Sequence, residues 1–376
     1  MSELTLTRWQ RLLTSPERQQ LLVPVLSVTG ALLLCFGALA ATGRDPFAAF
    51  ASMLGGGLGS LRAIGDASVK ISVLTLTGLS VAVAFSVGLF NTGAEGQLVV
   101  GAICAAWIGQ AVELPAPLHL PLALAAAALG GGLYGVIPAW LKVRRGVHEV
   151  ISTIMLNWIA IHLVENWLVL GPLAARSTES SLSLPGTRQI AESAELPRFF
   201  ASSELGAGIV IALAAAALLA FLLDRTWLGF ELRATGSSVE ASRTAGIDVA
   251  SRTCIAMGLA GACAGLAGAL LILGVHKQYP SVFHAGYGFD GIAISLIGAN
   301  HPLGVLASAL FFGVIRAGGT RLQLLHIHRS FPELIQGIAL LFIAGQMITR
   351  HGLGWLGRPR AKPAPVAPPA SSVEPR

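Results

Sequence analysis

Gly88–Gly101 reads GLFNTGAEGQLVVG and sets Asn91, Glu95 and Gln97 between two long apolar stretches. A carboxylate at the edge of a bilayer-spanning region costs a few kcal/mol or more. Such a group persists where water, a partner or a solute pathway satisfies it. The segment therefore points to a membrane protein that moves something polar, and not merely to one anchored in lipid.

Composition supports the membrane reading. The chain of 376 residues is 54% hydrophobic and 12% charged, with a mean hydropathy of +0.70. Soluble domains carry roughly 25% charged residues, so too few charges exist here to coat a water-facing surface. The 44 glycines fit close helix packing in lipid. Continuous rather than alternating apolar runs exclude a transmembrane barrel. The fold class is all-α, a polytopic helical membrane protein with the lipid bilayer as its first partner. The formal charge of +6 does not indicate nucleic acid, because the basic residues cluster in short loops between apolar runs. Cys35, Cys104, Cys254 and Cys263 all lie in apolar runs and match neither a zinc site nor a disulfide framework. Met1–Leu39 has the basic start of a signal peptide. Its apolar stretch from Leu21 to Ala41 exceeds an h-region of about 7–15 residues and reads as an uncleaved first span.

About 20 apolar residues cross the hydrocarbon core as a helix. Candidate spans are 21–42, 66–90, 94–112, 119–141, 147–170, 206–224, 253–275, 289–299, 303–319 and 331–349. The eighth is too short to cross alone and is broken from the ninth by Gly298, Asn300, His301 and Pro302, as in a half-helix or re-entrant segment. The count is about ten. Loops rich in Arg and Lys, at 8–18, 142–145, 225–252 and 350–362, share one side; the acidic-leaning loop 171–205 faces the other. The positive-inside rule places the first set, and with it both termini, in the cytoplasm. The domain reading is a cytoplasmic segment 1–20, a transmembrane domain 21–350, and a Pro-rich disordered cytoplasmic tail 351–376.

The longest cytoplasmic connection, 224–252, is DRTWLGFELRATGSSVEASRTAGIDVASR. Ser237 with Glu240 three residues on reads as a capping box, and Gly246 as the glycine that follows a helix. The spacing predicts a short helix over Ser238–Ala245. It is either a rigid lever for docking another protein or an amphipathic turn on the membrane surface.

Three segments together carry a resemblance: Phe90–Gln97, FNTGAEGQ; Gly146–Asn157, GVHEVISTIMLN; and Arg233–Ile247, RATGSSVEASRTAGI. They resemble permease subunits of ABC importers, in the branch of nucleoside and simple-sugar uptake systems related to branched-chain amino acid permeases. The resemblance runs from about residue 65 to 347. The chain departs from that family at Thr92, where Ile is usual, and at His148, where Asn is usual. The resemblance implies a dimer of identical or homologous permeases, two ATPase subunits and an extracytoplasmic solute-binding protein, in a bacterial cytoplasmic (inner) membrane. Arg233, Ser237, Glu240, Arg243 and Gly246 are then the ATPase-coupling residues. No G-x-x-x-x-G-K-[ST] loop occurs in the chain, so no cofactor is expected on it and ATP belongs to the partner subunit. The chain is expected to be a transport subunit and not an enzyme. An ion-gradient-driven secondary transporter is the alternative, since broken helices and intramembrane carboxylates suit that class too.

Asn91, Glu95, Gln97, Asn157 and Asp290 are the candidate pathway or gate residues. Each has a second reading. Glu95 suits a helix start, where the dipole favours a carboxylate. Asn91 and Gln97 offer donors and acceptors to a sugar or nucleobase, or to a helix end. Asn157 suits bonding between helices, and Asp290 suits either an N-terminal cap or a gate. Glu165 and His162 stand near the outer end of their span, within reach of water. His276, His284, His326 and His328 form no metal-ligand pattern, and no metal is expected.

Overall fold

The computed structural model describes residues 16–174, 186–200, 202–283 and 286–356. Residues 1–15 of the N-terminal segment, Glu179, His284 and residues 357–376 of the tail lie outside the described residues. The elements are α1 (Pro16–Ala41), α2 (Pro46–Leu58), α3 (Leu61–Ser86), α4 (Ala94–Ala111), α5 (Ala116–Arg145), α6 (Glu149–His162), α7 (Ala207–Arg225), α8 (Trp227–Ser237), α9 (Val239–Thr244), α10 (Val249–Leu271), α11 (Tyr287–Ile297), α12 (Pro302–Gly318) and α13 (Phe331–Leu356). α6 continues as a π-helical stretch over Leu163–Val169, and α10 does so over Ile272–His276. Six of the described helices are long and apolar enough to cross a bilayer. The protein is all-α and polytopic, and each of the ten intervals read from the sequence holds a helix.

α2 is one element that hydropathy does not reveal. The Asp45 carboxylate accepts from the N–H groups of Phe47 and Ala48 at 2.9 and 3.2 Å, and Pro46 opens the helix. Its glycines Gly56 and Gly57 lie against the backbone of Gly318 and Val314, with no room for a Cβ. α13 runs on to Leu356.

Burial separates central helices from peripheral ones. The apolar window of α3 is 83% buried and that of α10 is 72%, against 22% for α1 and for α7. α7 is the most apolar of the six and among the least buried. That combination fits a helix whose outer face meets lipid chains rather than protein. α3 packs on α7, α10, α11 and α12, while α10 packs on α3, α4 and α5.

Glycine makes the α4–α5–α10 packing possible. Gly131 and Gly135 on α5 face Gly261 and Gly265 on α10, two small-xxx-small pairs back to back. A Cβ on Gly131 would land on the Gly261 carbonyl, and one on Gly265 would land on the Ala127 carbonyl. With no hydrophobic drive between helices in lipid, this close backbone approach supplies the van der Waals contact. At one end of the bundle the loop 186–206 is stitched to the helices. Ala191 N donates to Gly109 O at 2.8 Å, Leu196 N to Leu273 O at 2.9 Å, and the Ser203 hydroxyl to Leu61 O at 2.8 Å.

α11 has 11 residues, about 16 Å at 1.5 Å per residue, too short to cross alone. Its break from α12 is sharp. Ala299 and Asn300 both have φ near +55°, a left-handed conformation costly for residues with a Cβ. The Asn300 N–H donates to Ser295 O at 2.8 Å, and its side chain accepts from the Ser295 hydroxyl at 2.9 Å. His301 then caps α12 ahead of Pro302.

Replacing Gly265 by valine is expected to lower the stability of the detergent-solubilised protein by about 2–3 kcal/mol, as overpacking does. Gly337→Ala meets no atom within 4 Å and, in a helix interior, is expected to leave stability unaltered or raise it by up to about 1 kcal/mol. Thermal unfolding of the two variants side by side checks the contrast.

Candidate functional site

The chain between α3 and α4 forms a polar junction inside the bundle. Asn91, Glu95, Gln97 and Asn157 are all buried. Asn91 and Gln97 exchange amide hydrogen bonds, Nδ2 to Oε1 at 2.9 Å and Nε2 to Oδ1 at 3.1 Å. Asn91 also donates to the Ser80 hydroxyl at 3.0 Å and accepts from Gly93 N at 3.1 Å. These groups are satisfied within the subunit, as buried polar groups must be.

Asn157 performs for α4 what a capping residue normally does from within the same helix. No side chain of α4's own N-cap, Gly93, satisfies its first turn. The Asn157 carbonyl oxygen on α6 accepts from Gly96 N at 2.8 Å, and its amide donates to Thr92 O at 2.8 Å. The Thr92 hydroxyl meets the Thr153 hydroxyl at 2.5 Å. An Ile at position 92 would lack that bond, so the departure from the family pattern is matched by a threonine on the facing helix.

Glu95 joins two helix starts. It lies in the first turn of α4, and its carboxylate accepts from Gly286 N at 3.0 Å and Gly288 N at 2.6 Å, the start of α11. One negative charge thus faces the positive ends of two helix dipoles. A Cβ on Gly288 would strike the Glu95 backbone, so the glycine lets the two termini meet. Glu165, which the sequence places within reach of water, is buried instead and accepts from Phe283 N at 3.1 Å. It lies in the π-helical continuation of α6, whose altered winding turns it inward while His162 stays exposed. Glu165 thus holds Phe283, and Glu95 holds Gly286 and Gly288 at the start of α11.

Asp290 does not cap α11; Gly286 stands at that position. Asp290 is ion-paired with Arg316 of α12, which also reaches Glu333 of α13 at 3.4 Å. Gln336 donates to the Asp290 backbone carbonyl at 3.2 Å. The Arg316 guanidinium lies 4.5 Å from the Tyr287 ring centre. This ionic knot ties α11, α12 and α13. Sequence spacing does not reveal it, because its members come from three separate helices.

The loop 224–252 holds two helices, α8 and α9. The cap of α9 is Ser238 rather than Ser237: its hydroxyl oxygen accepts from Ala241 N at 3.2 Å, while Ser237 ends α8 and donates to Arg233 O at 2.9 Å. With Ser238 as the cap, the third helical position is Ala241 rather than Glu240, so the Ser237–Glu240 capping box does not form. Gly246, at φ +81°, ends α9. Its N–H donates to Arg243 O at 3.0 Å, and Ile247 N donates to Ser242 O at 2.9 Å, a Schellman motif. Glu240 and Arg243 are exposed on α9. Arg233 lies 3.9 Å from Asp224, which also meets His301 at 3.3 Å. Arg252 pairs with Glu231 at 2.6 Å and lies over the Trp227 ring. Gly236 of α8 packs directly on the backbone of Ser86 and Gly88, the lead-in to the polar junction.

Glu95→Ala strips the acceptors from two amides at a buried helix start. It is expected to destabilise the protein by about 2–3 kcal/mol, the scale for bonds to a charged group. Glu95→Gln, which keeps one acceptor, is expected to cost less. Thermal unfolding in detergent tests the order.

Comparison with known proteins accords with this geometry. The family described as "Branched-chain amino acid transport system / permease component" matches residues 63–344. The guanosine ABC transporter permease protein NupP of Bacillus subtilis is 38% identical over 89% of this chain and 96% of its own length. The glucose ABC transporter permease protein TsgB13 of Haloferax volcanii is 33% identical over 91% and 92%. The nucleoside ABC transporter permease protein NupB of Lactococcus lactis is 31% identical over 88% and 92%. No solved structure matches. With a family match over most of its length and relatives at this level of identity, the chain belongs to the branched-chain amino acid transport system / permease component family, as a transport subunit whose ATPase is a separate chain.

Proposed function

We propose that this subunit forms half of the membrane passage of an ATP-driven importer for nucleosides or related ribosides and sugars. The substrate class rests on similarity to the guanosine, nucleoside and glucose permeases. The second half of the passage is another permease, identical or homologous. A solute-binding protein delivers the solute from outside, and the complex resides in a bacterial cytoplasmic (inner) membrane with the basic loops and both termini in the cytoplasm. ATP is bound and hydrolysed by the partner subunit, with no cofactor on this chain.

The observation that supports the mechanism best is the lever. α9 is capped at both ends and exposed along Val239–Arg243 except at Ser242, which suits insertion into a cleft of the ATPase. Movement of α9 passes to α8, with which it is continuous. Gly236 of α8 then bears on Ser86–Gly88. From there the polar junction connects to α6 through Asn157 and to α11 through Glu95. In this scheme Arg233 and Ser237 keep α8 in place, Glu240 and Arg243 contact the ATPase, and Gly246 sets the exit angle of α9. Asn91, Gln97 and Asn157 act as the pivot, while Asp290 with Arg316 acts as a gate between helices.

Purification of the tagged chain from its native membranes in mild detergent, with mass spectrometry of what accompanies it, tests the assembly. A co-purifying ATPase with a second permease is the expected result; a homogeneous single chain that transports on its own would contradict it. Replacing Glu240 and Arg243 together by alanine, or Gly246 by valine, is expected to leave complex assembly and basal ATPase activity intact. Uptake in such variants should fall at least tenfold, and full uptake would count against the lever.

A further inference from the structure

Helix α6 and its π-helical continuation have two unlike faces. One, with Ser152, Thr153, Asn157 and Glu165, is buried and bonded into the junction. The other is exposed and sets Trp158, His162 and Asn166 among apolar Met155, Ile159 and Leu163. The inner face is pinned by the Asn157 and Glu165 contacts, so the outward aim of the second face is fixed. His162 lies 13 residues beyond Glu149, about 20 Å along the helix at 1.5 Å per residue. That places it toward the outer end of a hydrocarbon core of about 30 Å, for a helix whose first turn is tied to Lys142.

The exposed faces of the other peripheral helices differ. Among the described residues, α1, α5, α7 and α12 carry no exposed ionisable or amide side chain between their ends. An exposed imidazole and carboxamide facing lipid would be costly, and such groups within a membrane normally face a bundle interior or a water-filled cavity. The polar stripe of α6 at His162 and Asn166 therefore suits water or solute better than acyl chains.

Its chemistry is organised. The Trp158 and His162 rings are stacked, with centres 5.8 Å apart and planes 23° from parallel. The Asn166 amide bonds His162 Nδ1 at 3.1 Å. With Asn166 donating, His162 presents Nε2–H as a donor and Asn166 presents Oδ1 as an acceptor. An aromatic face beside one donor and one acceptor is what a planar, hydrogen-bonding solute requires.

We infer that the exposed face of α6 from Met155 to Asn166 is a wall of the solute passage, closed by the second permease, and that Trp158, His162 and Asn166 contact the base of a passing nucleoside. The inference rests on the importer reading above and names the contact surface within it.

The test uses the complete importer in proteoliposomes, with His162→Cys and Asn166→Cys compared with Leu218→Cys, an exposed site on the apolar face of α7. Rates are taken relative to the parent chain with its native cysteines. A hydrophilic methanethiosulfonate reagent is expected to modify positions 162 and 166 at least tenfold faster than 218, and guanosine during turnover is expected to slow that reaction. Equal rates at the three positions would overturn the inference by placing the face against lipid or a tight protein contact. Fast labelling that guanosine leaves unaltered would overturn the base contact. Trp158→Ala is expected to reduce nucleoside kcat/KM about tenfold, the scale of losing one base–aromatic stack, and Trp158→Phe to restore most of it; unaltered uptake by the alanine variant also overturns the contact. Failure of the parent importer to move any nucleoside would instead refute the substrate reading, and accessibility at 162 and 166 reads out separately from it.

Discussion

The bond on which this architecture depends is that between the Glu95 carboxylate and the amides of Gly286 and Gly288. Inside a bilayer, every backbone polar group must find a partner within the protein. α4 begins at a bend within the bundle, and α11 is a half-length helix, so each presents a first turn of unpaired N–H groups away from bulk water. A carboxylate between them satisfies amides of α11 and faces both dipoles, while Asn157 supplies the missing acceptor to α4. Without such groups, two interrupted helices in this setting would be untenable. With them, the interruption becomes a joint in which three helices share polar contacts.

That joint is held inside a frame of the opposite character. α3 and α10 are enclosed almost all round, and the seam of α4, α5 and α10 is closed by backbone-to-backbone contact at glycine. Such packing leaves little freedom for sliding. The backbone is interrupted instead at the stretch 87–93, at the turn Ala299–Asn300, and at the π-helical ends of α6 and α10. α8 abuts the first of these through Gly236, and His301, next to the second, meets Asp224 at the end of α7. Both points lie on the basic-loop end of the bundle, where α9 is exposed.

Much of this was legible in the sequence. Hydropathy located the ten apolar elements, and the polar run FNTGAEGQ marked the junction. Gly298, Asn300, His301 and Pro302 marked the break after α11. What remained hidden involved relations between distant residues. That Glu95 bonds Gly286 and Gly288, rather than solvent, depends on a fold that brings residues nearly 200 positions apart together. The inward turn of Glu165 depends on a π-helical stretch that no local pattern announces. α2 escaped notice because its apolar run of 13 residues is too short to cross a bilayer. The shift of the α9 cap from Ser237 to Ser238 turns on adjacent serines of equal capping ability, between which only the length of α8 decides.

The most direct test of the account is the energy source of uptake by the purified complex in sealed proteoliposomes. With ATP available to the ATPase face and the solute-binding protein on the other, guanosine is expected to accumulate against its gradient and to continue when an uncoupler and ionophores have abolished every ion gradient. Accumulation that requires an ion gradient and proceeds without ATP or the ATPase would contradict it.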